Sequence, residues 1–193
     1  MIDLNDFIAE ITHKKGRDDK EAEVADCTGY LLDYPGGVSK ALGFRTHELS
    51  YVDYFWLCNT SSKYSYTLIE LSDIKDKLNQ AIEEVNAILK EKQRKKERNE
   101  NIKNAWLPLV SEIQLKIQGS RVVIERLHHD IDPSNVSYDC KLIVVAKNLD
   151  DIIMIDVFNK QLKVLQKKLD GMISTKACMT QHLCGFKKDC QPQ

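Results

Sequence analysis

Two acidic residues on neighbouring strand-like segments are the side chains of this sequence best suited to chemistry. Asp53 lies in segment 51–58 and Glu70 in segment 64–71, and both segments are rich in aromatic residues, which favour β-structure. Mg²⁺ prefers oxygen ligands, and one or two carboxylates together with a substrate phosphate are enough to hold it. The ion polarises that phosphate and lowers the pKa of an attacking water. The pair is therefore a candidate magnesium site.

The length and composition indicate a folded unit large enough to position such a pair. The chain has 193 residues, of which 42% are hydrophobic and 30% are charged, and these values are typical of a globular domain with one sizeable core. The formal net charge is −1, so overall charge gives no argument for binding nucleic acid. Any such affinity has to come from local patches.

Two helices are predicted at the N-terminus. Residues 3–14 carry apolar side chains at helical spacing, and residues 19–33 show a second such stripe after a capping-box-like spacing. The turn-forming segment 34–37 ends the second helix. The apolar positions are Leu4, Phe7, Ile8 and Ile11 in the first helix and Val24, Leu31 and Leu32 in the second.

Three strands are predicted next, because the composition changes at about residue 41. Aromatic and β-favouring residues place these strands near 42–48, 51–58 and 64–71. The polar segment 59–63 is typical of the connection in a hairpin. The last two strands would therefore bring the two acidic residues close together.

A long helical hairpin is predicted over about residues 73–131. Two heptad series indicate two arms with the tip near 99–104, and Pro108 fits the first turn of an arm capped near Asn104. One continuous helix is the alternative, and a strand pair around residues 119–120 is a further rival. The first series is Ile74, Leu78, Ala81, Val85 and Ile88, and the second is Trp106, Val110, Ile113, Ile117, Ser120, Ile124 and Leu127.

A buried strand and a further helix complete the predicted domain. Residues 140–146 contain a continuous apolar run, which is typical of a strand buried on both faces. A third heptad series runs from Ile155 to Met172. We therefore predict a single α/β domain over residues 1–172 with the hairpin as an insertion, followed by a cysteine-containing tail over residues 173–193.

This order of elements resembles the core of the PD-(D/E)XK, or restriction-endonuclease-like, nuclease superfamily. That αβββαβ core consists of a helix, a three-stranded meander, a crossover helix and a fourth strand, and the resemblance covers about residues 18–172. By position, Asp53 matches the family's metal-binding aspartate, and Glu70 matches the acid of its E-X-K motif. Glu21 matches an additional acid of some branches. The resemblance implies a Mg²⁺ site formed by these three acids.

The lysine of the E-X-K motif is missing, because Ser72 stands two positions after Glu70. In the family this lysine helps to orient the attacking water and stabilises charge. Lys75 and Lys77 on the following helix, or Lys63 before the strand, are the alternatives, and we take Lys75 as the candidate. The resemblance then implies a magnesium-dependent endonuclease acting on nucleic acid, of the kind often found in bacterial or phage defence.

A non-catalytic assembly subunit is the alternative function. The α/β core would then be a scaffold, and the heptad faces of the helices would bind a protein partner or a second copy of the chain. The serine at position 72, in place of a catalytic lysine, favours this interpretation.

Two charged segments on the predicted helices have simple explanations. The run 90–98 holds six basic and two acidic residues, and it is more simply a solvated helix tip than a patch that binds phosphates. The segment 128–130, with two histidines and an aspartate, is expected to be a solvent-facing cap at the end of a helix.

The C-terminal cysteines raise the question of a zinc site. Cys178, His182, Cys184 and Cys190 supply four ligands of the types that zinc prefers,. Their spacing is not that of a standard zinc motif, so we favour a tail with incidental cysteines over a Zn²⁺ site.

The sequence predicts a cytoplasmic location. The N-terminus lacks the basic and apolar regions of a signal peptide, and no apolar run approaches the roughly 20 residues needed to cross a bilayer. Six cysteines in such a chain are expected to be reduced thiols rather than disulfides, with Cys27, Cys58 and Cys140 acting as small buried hydrophobes.

Overall fold

A mixed β-sheet of six strands forms the centre of the described chain in a computed structural model. The strands are β1 (Ile8–His13), β2 (Glu23–Leu31), β3 (Tyr54–Thr60), β4 (Lys63–Ser72), β5 (Tyr138–Ala146) and β6 (Cys178–Gln181). The helices are α1 (Val38–Ala41), α2 (Lys75–Lys90), α3 (Lys95–Ile131) and α4 (Ile152–Lys168), with a 3₁₀ turn at Leu4–Phe7. The structure describes residues 2–13, 23–33, 35–45, 49–60, 63–72, 74–134, 137–146, 152–169, 172–173 and 178–181.

Strand order follows the order of the chain. Strands β1 to β4 form an antiparallel meander, and β5 and β6 continue the sheet in parallel with β4. A parallel connection needs a crossover of a dozen or more residues. The hairpin of α2 and α3 supplies it between β4 and β5, and α4 lies between β5 and β6. The predicted α/β class is therefore confirmed.

Alternation along β4 directs its side chains into two separate layers. Tyr66 and Leu68 lie in the larger core, which also holds the apolar faces of α2, α3 and α4. Ile69 lies in a smaller core with Trp56 and Val145. This arrangement follows from the two-residue period of a strand, and it means that even-numbered residues of β4 face the helices.

The predictions for the middle of the sheet are confirmed. Strands β3 and β4 pair as an antiparallel hairpin in which Tyr54 lies opposite Ile69 and Thr60 lies opposite Lys63. Strand β5 pairs in parallel with β4 in a register that sets Val144 opposite Glu70. These strands have strong β-favouring composition and neighbours on both sides, so local preference and tertiary pairing agree.

The two helices predicted at the N-terminus are wrong, because β1 and β2 form there. Ile8 pairs with Tyr30, and Ile11 is a fully buried member of the smaller core. The apolar spacing of this segment fits a short helix as well as a strand. Short helices are marginal by themselves, so the pairing of β1 with β2 decides the outcome.

The predicted strand at 42–48 is also wrong over the residues that are described. Residues 42–45 follow α1 without strand structure, and residues 46–48 lie outside the described ranges. Gly43 has a φ of 86°, a left-handed conformation that interrupts a strand. The aromatic Phe44 suggested a strand, but it packs from this loop against the larger core.

The helical hairpin is confirmed, but its tip lies earlier than predicted. Helix α2 ends at Lys90 and α3 begins at Lys95, with Arg94 as its N-cap. Asn104 and Pro108 are therefore inside α3, which is continuous through residues 119–120 and about 55 Å long. The alternatives of one continuous helix and of a strand pair are both wrong.

In the part of the chain that is described, no helix combines the length and the apolar composition needed to span a bilayer.

Proline substitutions should locate the hairpin tip. Lys92→Pro is expected to lower the free energy of unfolding by less than about 1 kcal/mol, because Glu91 already has the extended backbone that a residue before proline adopts. Asn104→Pro is expected to cost about 3 kcal/mol, because it removes a hydrogen bond inside α3. Urea unfolding measures both costs, and the reverse order would contradict a tip at residues 91–94.

Candidate active site

Glu70 occupies an inward position in a row of buried side chains on β4. Tyr66 and Leu68 precede it on the same face of the strand and are fully buried, because residues two apart point to the same side. Glu70 itself is only 1% exposed. A carboxylate taken this far from water requires a compensating partner.

Lys116 of α3 supplies that partner. Its Nζ lies 2.5 Å from Oε1 of Glu70, and its side chain is 24% exposed. Lys116 lies three residues after Ile113 and four before Ser120, and both of these residues are buried. Residues three and four apart share one side of a helix, so Lys116 reaches the sheet. Helix α3 therefore places a lysine beside Glu70, whereas position 72 of β4 is a serine.

Asp53 lies beside Glu70 because β3 and β4 are antiparallel neighbours. It directly precedes β3, and its Oδ2 accepts a hydrogen bond of 2.8 Å from the backbone N–H of Leu71, the residue after Glu70. The backbone carbonyl of Asp53 accepts a further hydrogen bond of 2.9 Å from the N–H of Leu32. The structure thus brings together the two carboxylates that the sequence singles out.

The two carboxylates and the lysine change one another's pKa values. Burial raises the pKa of Glu70 to about 8, and the nearby charge of Asp53 adds to this effect, while Lys116 opposes it. Burial acts to lower the pKa of Lys116, but attraction to Glu70 and the hydrogen bond between them outweigh it, so the pKa of Lys116 is raised. Burial thus holds the pKa of Glu70 above its ordinary value even though Lys116 lies beside it.

One oxygen of Glu70 remains for a further ligand. Its Oε2 is buried and forms no hydrogen bond within the part of the chain that is described, whereas Oε1 contacts Lys116. A buried acceptor without a partner is unfavourable unless an ion or a water completes it. The orphaned oxygen beside a second carboxylate fits Mg²⁺, which needs only one or two carboxylates.

The described residues contain no larger cluster of acidic or soft ligands. In the described ranges, no three His, Cys, Asp or Glu side chains lie close enough to share a metal ion. Among the described residues, only Asp53 and Glu70 would hold a cation at this site. Its other ligands would be water or substrate oxygens.

A second ion pair lies close to the pair of Glu70 and Lys116. Glu112, one helical turn before Lys116 on α3, pairs with Lys77 of α2. Its negative charge acts on both Glu70 and Lys116. The pair is about half exposed, so it contributes little to stability by itself. It joins the two arms of the hairpin at the level of the site.

The three lysines considered from the sequence have other positions. Lys75 is exposed in the first turn of α2, Lys63 pairs with Asp139 at 2.7 Å, and Lys77 forms the second ion pair. Lys116, and not Lys75, contacts Glu70. The sequence contains a signal for Lys116, because the heptad series places it next to the buried side of α3.

Some predicted ligands lie outside the described residues. Glu21, the third expected magnesium ligand, is one of them, as are His182, Cys184 and Cys190 of the candidate zinc site. Cys178 begins β6, which pairs with β5. The Glu21 ligand therefore stays a prediction, and so does the interpretation that favours incidental cysteines over a zinc site.

The histidine pair at the end of α3 is not a solvent-facing cap. His129 is exposed, but His128 is 2% exposed and shares a hydrogen bond of 3.1 Å with the hydroxyl of Tyr66. The rings of Tyr64 and Tyr138 pack against the His128 ring, with centroid distances of 4.9 and 4.7 Å. This buried cluster joins α3 to the opposite end of β4 from Glu70, and it has the contacts of a packing core.

Comparison with known proteins adds no family to these observations. No protein-family model, curated protein or solved structure matches the chain. The fold and the site therefore define it as a mixed α/β protein with a buried carboxylate–lysine site, and its function has to be argued from that geometry.

Raising the pH should destabilise the wild-type protein but not Glu70→Gln. The pKa of Glu70 is about 8 when folded and near the ordinary 4.5 when unfolded, so the folded state holds more protons between these values. The free energy of unfolding should therefore fall as the pH rises from about 5 to about 8, with a slope of at most about 1.4 kcal/mol per pH unit. Urea unfolding across this range measures the slope.

Glu84→Gln is the matched control for this experiment. Glu84 is exposed on α2, so its replacement should preserve the pH dependence of the wild-type protein. A Glu70→Gln variant with the wild-type slope would show that Glu70 is not the titrating group.

Proposed function

We propose that the protein is a metal-dependent nuclease whose site consists of Asp53, Glu70 and Lys116. The observation that carries this proposal is the buried Glu70 carboxylate, which binds Lys116 through one oxygen, adjoins Asp53 and leaves its second oxygen unsatisfied. Two neighbouring carboxylates and a lysine are the groups that magnesium-dependent hydrolysis of a phosphodiester uses. The expected substrate is therefore a nucleic acid.

The arrangement of strands supports the restriction-endonuclease-like interpretation. Strands β2, β3 and β4 form a meander, α2 and α3 cross over, and β5 returns parallel to β4. Asp53 directly precedes the second strand of this meander and Glu70 lies on the third, close to the positions of the two acids in the PD-(D/E)XK core. The departure is at the N-terminus, where β1 precedes β2 in place of the expected helix.

Each residue of the site has a separate role in this proposal. Asp53 and Glu70 would hold the cation, which would polarise the phosphate and lower the pKa of an attacking water. Lys116 pairs with Glu70 and, with a quarter of its side chain exposed, would stabilise negative charge that develops on the phosphate.

Metal binding and cleavage should respond differently to the three residues. Asp53→Asn and Glu70→Gln are expected to abolish binding of Mn²⁺, measured by calorimetry, and cleavage with it. Lys116→Met is expected to retain Mn²⁺ binding, because both carboxylates remain, but to slow cleavage by about 100-fold or more. Single- and double-stranded DNA and RNA serve as substrates.

Lys75→Met is the informative comparison for the lysine. Both variants lose one positive charge, but Lys75 is exposed and Lys116 contacts Glu70, so Lys75→Met should cleave at the wild-type rate. A larger loss in Lys75→Met than in Lys116→Met would contradict the assignment. A folded wild-type protein that binds no Mn²⁺ would contradict the proposed function itself.

An assembly subunit is the second candidate function, and exposed apolar side chains on α3 favour it. Leu107, Leu115 and Val122 are 44%, 58% and 46% exposed, although they belong to a long helix with a well-packed opposite side. Such side chains on one helix are typical of a surface that pairs with another helix. The partner proposed here is a second copy of the chain.

Light scattering coupled to gel filtration tests the assembly candidate. The wild-type protein should elute as a dimer, and replacement of Leu115 by Lys should shift it to the monomer mass, because a charge would be buried in the interface. Lys103→Met, a change at an exposed position of the same helix, should remain dimeric. A monomeric wild-type protein at high concentration would exclude this candidate.

A further inference from the structure

Helix α3 approaches the segment before β3 more closely than a side chain permits. At Gly119, a Cβ atom would overlap the backbone carbonyl oxygen of Ser50 and would lie 3.2 Å from Cβ of Leu49. Gly119 is buried, and nothing larger fits between the helix and this stretch of backbone. The glycine is therefore needed for the contact, despite its low helix propensity.

The next residue of α3 forms a hydrogen bond across this contact. Ser120 is fully buried, and its Oγ accepts a hydrogen bond of 2.8 Å from the backbone N–H of Val52. The same hydroxyl donates to the carbonyl of Lys116 at 2.7 Å. One side chain thus joins the residue before Asp53 to the helical turn that carries Lys116.

Segment 49–52, which precedes Asp53, and the two neighbouring strands together position Asp53. Its carbonyl accepts the N–H of Leu32 at the end of β2, and its Oδ2 accepts the N–H of Leu71 on β4. The segment is short and precedes β3, so the contact at Val52 limits how far Asp53 can move from Glu70. A hydrogen bond in the protein interior is electrostatically stronger than one in water, so the bond to the Ser120 hydroxyl adds to the contacts that hold this segment.

We propose that Gly119 and Ser120 are positioning residues that set the placement of Asp53 relative to Glu70 and Lys116. Gly119 allows α3 to approach the backbone, and Ser120 fixes the register between Val52 and Lys116. The two residues touch neither a cation nor a substrate, and they act through Asp53 and Lys116. Their role explains why a helix with strong heptad patterning carries a glycine and a serine at its centre.

This positioning role rests on the proposed function only in so far as Asp53, Glu70 and Lys116 are taken to be a metal site. The contacts themselves are independent of whether a cation binds. The test can therefore follow the position of Asp53 in the metal-free protein, apart from any cleavage.

Hydrogen exchange of the Leu71 amide is the direct readout. In Ser120→Ala, the bond from Val52 is lost, Asp53 is released, and the Leu71 amide that donates to Asp53 should exchange at least about tenfold faster. Amides in the middle of β4, such as that of Leu68, should keep their protection. A general loss of stability would accelerate all of these amides together, so the selective change separates positioning from a merely structural role.

Two further variants complete the design. Gly119→Ala leaves the hydroxyl intact but forces the Ser50 backbone away, so it should produce the same selective exchange at Leu71. Ser111→Ala is the control, because Ser111 lies about two and a half turns earlier, on the opposite side of α3. It should leave Leu71 unchanged.

The outcomes separate this inference from the proposed function. Unchanged exchange at Leu71 in both Ser120→Ala and Gly119→Ala, or equal acceleration along all of β4, would overturn the positioning role. Selective acceleration, with Mn²⁺ affinity reduced at least about fivefold in Ser120→Ala by calorimetry, would establish it for the metal site. If the wild-type protein binds no Mn²⁺, the nuclease proposal fails, and the exchange at Leu71 still decides whether the two residues position Asp53.

Discussion

The buried carboxylate of Glu70 is the constraint on which the arrangement of sheet and helices depends. A charge at this depth is unfavourable unless an opposite charge reaches it with good geometry, and Lys116 does so from a helix far along the chain. Glu70 lies beyond the buried Tyr66 and Leu68 on the face of β4 that α3 covers, and α3 provides the partner. The position of α3, which its apolar contacts with the larger core also hold, decides whether Lys116 reaches Glu70.

Helix α3 combines several roles that are usually divided among separate elements. It is the second arm of the hairpin, it provides the crossover from β4 to β5, and its central turns carry Lys116, Gly119 and Ser120. At its C-terminal end, His128 anchors it to the tyrosines of β4. Because these contacts lie on one rigid helix, a displacement of α3 would change the site and the entry to β3 together.

The reasons for the wrong predictions are physical. In the N-terminal segment, apolar spacing was compatible with both a short helix and a strand, and the pairing of Ile8 with Tyr30 decided between them. At the hairpin, the heptad register continued through polar positions, so no hydrophobic signal marked the break after Lys90. Pro108 suggested a helix start, but α3 accommodates it at an exposed position in its interior.

The sequence by itself determined the strand that follows Asp53, the strand that carries Glu70, the buried strand after the hairpin and the helical nature of the crossover, because these depend on local composition and period. It also identified the two carboxylates and the absence of a lysine at position 72. Only the tertiary structure decided that Glu70 is buried and that Lys116 is its partner. That contact joins residues 46 positions apart, and its existence depends on where a long helix crosses the sheet, which no local pattern encodes.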